Sequence, residues 1–179
     1  ISAGLSIFSS RWILLSLGQV DYGLYNVVIA IIIFVSSFSN IMASANARFF
    51  SVAIGKGDIE EIRQWYSTSR KLHEFLSIII ILIGLPVGEL MVRKVLKIPL
   101  ERLDVCLWVY RISIVYAVMS FISVPAVAMF TAKQRITEVA WWGLGQSVVL
   151  FFFSFALRFI NGDKLLIYGV SVRVCIFFF

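Results

Sequence analysis

The longest uncharged stretch of the chain is the feature that most constrains its fold. Residues 22–47 form a run of 26 residues without a charged side chain. About 20 apolar residues in a helix, rising about 1.5 Å each, cross the ~30 Å hydrocarbon core of a membrane. Further runs follow at residues 75–88, 112–132 and 139–157. Because a helix of a soluble domain needs one polar face, these runs predict a polytopic membrane protein.

The composition favours the same class of protein. Of the 179 residues, 60% are hydrophobic and 15% are charged, which leaves room for about six crossings and no soluble domain of ordinary size. The runs are apolar on every side, so they predict helices and not the alternating strands of a membrane barrel. We therefore expect an all-α transmembrane helix bundle that forms a single domain over residues 1–179. The chain starts without Met and stops in an apolar segment, so we expect it to be truncated at both ends.

The polar residues between the runs divide the chain into spans. Turns are expected at Gly18–Asp21 and at Asn161–Asp163, since glycine beside a polar residue is typical of turns. The expected spans run from before Ile1 to about Leu17, then over Tyr22–Ser51, Leu76–Leu96, Leu107–Ala132 and Val139–Phe159, and finally from near Leu165 onward.

The connection over residues 55–74 is the longest and the most polar. Asp58 with Glu61 three residues later is the pattern of a helix start. Apolar residues then recur at helical spacing opposite Arg63 and Arg70. This pattern predicts an amphipathic helix at the level of the lipid headgroups, and a solvated linker helix fits it equally well.

The basic excess predicts contact with lipid headgroups, not with nucleic acid. The chain has 16 Lys and Arg against 10 Asp and Glu, and in a membrane protein such an excess reflects the loops and anionic lipids. Seven basic residues fall in connections on one side and six on the other, so charge does not decide the orientation. Cys106 and Cys175 predict small apolar side chains, without a disulfide or metal site.

A polar stripe on the second span is the first candidate functional feature. Ser37, Asn40, Ser44 and Arg48 lie within about 80° of one another around a helix and so share a face. Such a face either packs against a neighbouring helix or lines a watery cavity. Packing explains the serines well, but it explains Asn40 and Arg48 less well.

Arginines within the spans are the second candidate feature. Arg11 lies inside the first span and Arg111 in the fourth, and placing an arginine near the bilayer centre costs about 2.5–3.5 kcal/mol. We expect no acid within these spans to neutralise them. They then either extend to the interface, as we expect for Arg111 and Arg158, or face an electropositive cavity suited to a phosphate-bearing substrate.

Two prolines are candidate hinges. Pro86 in the third span and Pro125 in the fourth each remove a helical hydrogen bond. Such kinks either shape packing or act as hinge points in a transporter that opens alternately to two sides.

Catalytic patterns are absent from the sequence. His73 is the sole histidine, and we expect it at the headgroup level. No acid pair, nucleophile–base pair or phosphate-binding glycine loop emerges, so we expect neither an enzyme nor a cofactor or metal site.

Several motifs follow one another along the chain. Arg11-Trp-Ile-Leu-Leu-Ser-Leu-Gly18 precedes Asp21-Tyr-Gly-Leu-Tyr25, and Arg48-Phe-Phe-Ser51 precedes Gly55-Lys-Gly-Asp58. Together with Pro125 and Ala132-Lys-Gln-Arg135, they resemble the polysaccharide flippases of the Wzx type, the O-antigen transporter branch of the superfamily that also contains the MATE drug exporters. Where that family often has His-Glu, this chain has Lys133-Gln134.

The resemblance implies a fold and an activity. It implies the N-terminal lobe, about six helices, of a MATE-like transporter in the bacterial inner membrane. Such proteins move an undecaprenyl-diphosphate-linked oligosaccharide between leaflets for surface polysaccharide and lipopolysaccharide synthesis. It also implies a cytoplasmic N-terminus, which places residues 55–74 inside. The coupling ion, H⁺ or Na⁺, is left open.

This hypothesis assigns roles to the candidate residues. Arg11 and Arg48 would attract the diphosphate, with Arg111 a weaker candidate, and Asn40 and Gln146 would bind sugar hydroxyls. One alternative is a MATE-type cation or drug antiporter, which needs an acid in the first lobe; Glu89 is the nearest candidate. A non-transport membrane scaffold is the other.

Overall fold

The structure is a computed structural model that describes residues 2–160 and 163–178, so the expected turn residues Asn161 and Gly162 and the side chain of Cys175 lie outside the description. The described residues are almost entirely helical and contain no strand. Among them, four helical segments, residues 7–56, 59–95, 100–132 and 136–159, are long and apolar enough to cross a membrane. The prediction of an all-α chain with several helices able to cross a membrane is thereby confirmed for the described residues. The elements are α1 (Ser2–Lys56), α2 (Ile59–Leu90), a π-helical turn (Met91–Val95), α3 (Leu100–Ala132), α4 (Ile136–Ala156), a 3₁₀ turn (Leu157–Phe159) and α5 (Lys164–Phe178).

Helix α1 is broken at Gly18, where φ is +83° and ψ is 169°. Glycine favours this positive φ because it has no Cβ. Ser9 and Tyr25 line the same cavity of about 250 Å³, although they would lie about 24 Å apart on a straight helix. The chain therefore folds back at Gly18, within the predicted turn. The N-terminal segment of α1 (residues 2–17) and its C-terminal segment (19–56) correspond to the first and second predicted spans.

Helix α2 joins the amphipathic connection to the third span. The carboxylate of Asp58 accepts hydrogen bonds from the backbone N–H groups of Glu60 and Glu61, both at 3.0 Å, which fixes the predicted helix start. Glu61 itself accepts from Lys56 Nζ at 2.9 Å. The helix then runs without interruption for 32 residues. The amphipathic segment is thus the first part of α2 and not a separate helix along the membrane surface.

Arg102 joins connections at one end of the bundle. Its Nη2 lies 3.1 Å from Oδ2 of Asp21, and its Nη1 lies 2.9 Å from Oδ2 of Asp163. Asp21 follows the turn at Gly18, Arg102 lies in the first turn of α3, and Asp163 precedes α5. These connections therefore meet at the same end, which we call the Arg102 end, and the chain runs up and down between this end and the opposite one.

The core is built around α3. Its buried residues include Cys106, Tyr110 and Ile114, and these pack in one cluster with buried residues of α1 and α5. The Tyr110 hydroxyl donates to the Gly84 carbonyl of α2 at 2.6 Å, and a Cβ at Gly88 would overlap the Tyr110 ring. The spacing Gly84-x-x-x-Gly88 is the small-residue pattern that allows close helix packing in membranes.

Candidate functional site

The polar stripe lies on the outside of the bundle. Ser37, Asn40, Ser44 and Arg48 are all exposed on the C-terminal segment of α1, whose opposite face carries buried side chains such as that of Ile32. The hydroxyls of Ser37 and Ser44 donate to carbonyls of their own helix, at 3.0 and 3.1 Å. Within the described residues, no other helix covers the stripe. The packing alternative is therefore not realised inside this part of the chain.

Arg48 lies at the opposite end of the bundle from Arg102. It follows Asp21 by 27 residues, about 40 Å along a helix, which exceeds the ~30 Å hydrocarbon thickness. It lines an open cavity of about 680 Å³, beside Trp65, whose ring stacks on Phe49 with centroids 4.7 Å apart. Among the described acids, none ion-pairs with Arg48. Its guanidinium is thus unpaired and lies at headgroup depth.

Arg11 is exposed near the Arg102 end. It precedes Gly18 by seven residues, about 10 Å along the helix, and no carboxylate among the described residues pairs with it. The structure therefore sets Arg11 and Arg48 at opposite ends of the bundle and does not bring them together. Gln146 is half-buried on α4, and Asn40 lies between the two arginines in depth.

Arg111 is neutralised, contrary to the sequence-based expectation. Its Nε lies 2.6 Å from Oε1 of Glu89 on α2, and its guanidinium lies over the Trp108 ring, 5.6 Å from the centroid. The expectation that no acid reaches Arg111 is wrong because α2 and α3 run antiparallel and bring together residues that are 22 positions apart. A paired guanidinium is a poorer anion site than a free one.

Arg173 on α5 is a buried arginine that the sequence reasoning missed. It is 8% exposed, its Nε donates to Ser113 Oγ at 3.2 Å, and its guanidinium lies 5.1 Å from the Tyr116 ring centroid. It follows Asp163 by ten residues, about 15 Å, which places it near the bilayer centre. None of the described carboxylates pairs with it. The available signal was a lone charge in the apolar run after Lys164.

A groove rich in hydroxyl groups lies between both segments of α1, α4 and α5. Its volume is about 250 Å³, and the rings of Tyr25 and Tyr168 meet in it with centroids 4.9 Å apart. Hydroxyl and amide groups at such a site can exchange hydrogen bonds with sugar hydroxyls or phosphate oxygens. The polar residues that line this hydroxyl groove are Ser9, Ser10, Tyr22, Tyr25, Asn26, Ser147, Ser154 and Tyr168.

The two prolines that are candidate hinges lie within continuous helices. Helix α2 continues through Pro86, and α3 continues through the buried Pro125, so the hinge role stays a prediction.

His73 is completely buried against Phe121, and its Nδ1 lies 2.7 Å from the Ser69 carbonyl. His73 is thus enclosed between α2 and α3 instead of facing outward, and its headgroup depth stays a prediction. Within the described residues, no group of His, Cys, Asp or Glu is suited to hold a metal ion.

Comparison with models of protein families finds no match to this chain, and comparisons with curated proteins and with solved structures find none either. The motifs of the sequence and the geometry of these polar groups therefore carry the functional proposal.

Proposed function

We propose that this chain forms one lobe of a MATE-like flippase that moves an undecaprenyl-diphosphate-linked oligosaccharide across the bacterial inner membrane. The observation that carries the proposal is the outward-facing polar stripe that ends at unpaired Arg48. An amide such as that of Asn40 is unfavourable against hydrocarbon, because its hydrogen bonds are lost there. A second lobe, of the kind that the resemblance implies, would turn this face into the wall of a hydrated cavity.

The charges favour an anionic substrate. Arg11 and Arg48 have no carboxylate partner among the described residues, and guanidinium groups bind phosphate oxygens through paired hydrogen bonds. Because these arginines lie at opposite ends of the bundle, each would meet the diphosphate at a different stage of the crossing. Asn40 on the stripe, together with Gln146, would supply hydrogen bonds to the sugars.

The antiporter alternative requires an unpaired acid inside the lobe. Glu89 is paired with Arg111 at 2.6 Å, and Asp21 is paired with Arg102 at 3.1 Å. Glu101 and Asp104 have no ion pair, but both are exposed in the first turns of α3, at the depth of Arg102. Among the described carboxylates, therefore, none lies free within the hydrocarbon depth. This favours the flippase over the antiporter.

Charge reversal tests the proposal in cells that lack the protein and are complemented with the full-length gene. We expect Arg11→Glu and Arg48→Glu each to abolish surface polysaccharide, because a carboxylate repels the diphosphate. Arg63→Glu is the matched control, since Arg63 is exposed on α2 and has no ion pair in the described structure. It should leave export unchanged.

Immunoblots of the membrane fraction establish that each variant is present at the wild-type level. Normal polysaccharide export by both the Arg11 and the Arg48 variants would refute these assignments and favour the scaffold alternative. Loss of export in all three variants would show a general sensitivity to charge and would also count against the assignments.

A further inference from the structure

An electropositive pocket lies at the Arg102 end and is separate from the polar stripe. Its volume is about 260 Å³, and it is formed by the N-terminal segment of α1, the end of α4 and the start of α5. We call it the interface pocket. The residues of its lining that matter here are Trp12, Leu15, Ser16, Phe155, Arg158 and Lys164.

The positive charge of the interface pocket is not neutralised. Arg158 lies on the 3₁₀ turn and Lys164 opens α5, and none of the described lining residues is acidic. The neighbouring Asp163 is already engaged: its Oδ2 accepts from Arg102 at 2.9 Å and its Oδ1 accepts from the Leu165 N–H at 3.1 Å. Neither Arg158 nor Lys164 has an ion-pair partner in the described structure. The pocket therefore suits an anion.

The depth of the pocket matches that of the lipid headgroups. Ser16 lies two residues before the turn at Gly18, and Lys164 adjoins Asp163, which is tied to the surface connections by Arg102. Tryptophan is enriched at this depth, because its ring is apolar and its N–H is polar.

An apolar wall continues from the charges toward the bilayer core. The Trp12 ring packs against the rings of Phe151 and Phe155, with centroids 4.9 and 5.2 Å away. Leu15 is 73% exposed beside them. The pocket thus offers cations at headgroup depth and an apolar surface below, which is the arrangement of charge and hydrocarbon in a phospholipid.

We propose that the interface pocket binds an anionic phospholipid of the surrounding bilayer. Arg158 and Lys164 contact its phosphate, the Ser16 hydroxyl donates to a phosphate oxygen, and an acyl chain lies along Leu15 and Phe155. The bound lipid would hold the N-terminal segment of α1 against α4 and α5. This site does not depend on the transport substrate, so it stands or falls separately from the proposed function.

The test measures lipid binding by the purified full-length protein. The protein is titrated with phosphatidylglycerol, phosphatidylcholine or inorganic phosphate, and native mass spectrometry detects the bound species. The double variant R158Q/K164Q should bind phosphatidylglycerol about thirtyfold more weakly, since two basic residues near an anionic surface each contribute about 1 kcal/mol. Binding of phosphatidylcholine should not change. R158K/K164R, which keeps both charges, should bind phosphatidylglycerol as the wild type does.

The control K94Q/K97Q removes the same charge from exposed positions at the same end of the bundle, outside the pocket, and should bind phosphatidylglycerol normally. An equal loss in that control, or wild-type affinity in R158Q/K164Q, would overturn the proposal. Binding of inorganic phosphate as tight as that of phosphatidylglycerol would show a free-anion site and would overturn it as well. If the double variant does not fold by circular dichroism, R158Q alone decides, because Arg158 is exposed. About fivefold weaker binding of phosphatidylglycerol is then expected, and wild-type binding by R158Q would refute the site.

Discussion

The charge of Arg111 inside the bundle is compensated by a carboxylate from the neighbouring helix. Arg111 follows Arg102 by nine residues, about 13 Å along α3, so it lies within the hydrocarbon depth. Glu89 meets it at 2.6 Å. Removing one partner leaves the other charged and without compensation, which is more unfavourable than removing both.

A double-mutant cycle at this pair tests that argument. We expect Arg111→Gln and Glu89→Gln each to destabilise the protein, and the double variant to be less destabilised than the sum of the two. Reversible unfolding in mixed micelles measures the free energies. Arg135→Gln is the control, because Arg135 meets Glu138 at 3.5 Å on an exposed turn and should have almost no effect. Additive effects of the two substitutions would contradict the pairing.

At the scale of the helices, glycines set how closely α2 and α3 approach. Gly88 is buried directly against the Tyr110 side chain, and the Tyr110 hydroxyl reaches the carbonyl of Gly84, one turn earlier. The hydrophobic effect does not drive helices together inside a bilayer, because the lipid tails are apolar too. Close van der Waals packing of this kind is therefore a main source of helix association.

Adding one methyl group tests the contact. We expect Gly88→Ala to destabilise the bundle by about 1–3 kcal/mol or more, because the Tyr110 ring has to move and its hydrogen bond to Gly84 is lost. Thermal unfolding in detergent provides the measurement. Gly23→Ala is the matched control, since a Cβ at Gly23 meets nothing within 4 Å and alanine is the better helix former. Equal melting temperatures for the wild type and the Gly88 variant would contradict the described packing.

At the scale of the whole molecule, the described bundle leaves one polar face uncovered. The stripe from Ser37 to Arg48 points away from the core, while Phe38 on the same helix is 53% exposed toward a different side and Ser39 is buried. A hydrated cavity and a lipid-facing surface make different predictions for these positions, because a thiol forms its reactive thiolate in water and not in hydrocarbon.

Cysteine labelling in intact membranes distinguishes them. In protein from which the native cysteines have been removed, we expect Asn40→Cys and Ser44→Cys to react with a water-soluble maleimide. Phe38→Cys should remain unlabelled because it faces lipid, and Ser39→Cys because it is buried. An unlabelled stripe would mean that this face is dry, which would count against the proposed cavity.

The sequence predicts local features well and contacts between helices poorly. The helical character of the apolar runs, the turn at Gly18 and the helix start at Asp58 depend on residues near one another in the chain, and the structure has each of them. The pairing of Arg111 with Glu89, the burial of His73 and the enclosure of Arg173 depend on neighbouring helices. The sequence also predicts the amphipathic segment and the third span as separate elements. In the structure both belong to α2, because a polar segment and an apolar segment can form one continuous helix.

The sequence alone determined that this chain folds into helices able to cross a membrane, because uncharged runs of that length have no other place to satisfy their backbone hydrogen bonds. Only the tertiary structure decided which charges are neutralised and which remain available to a ligand. The physical reason is that an ion pair acts over a few ångströms, and those distances are set by how the antiparallel helices pack side by side.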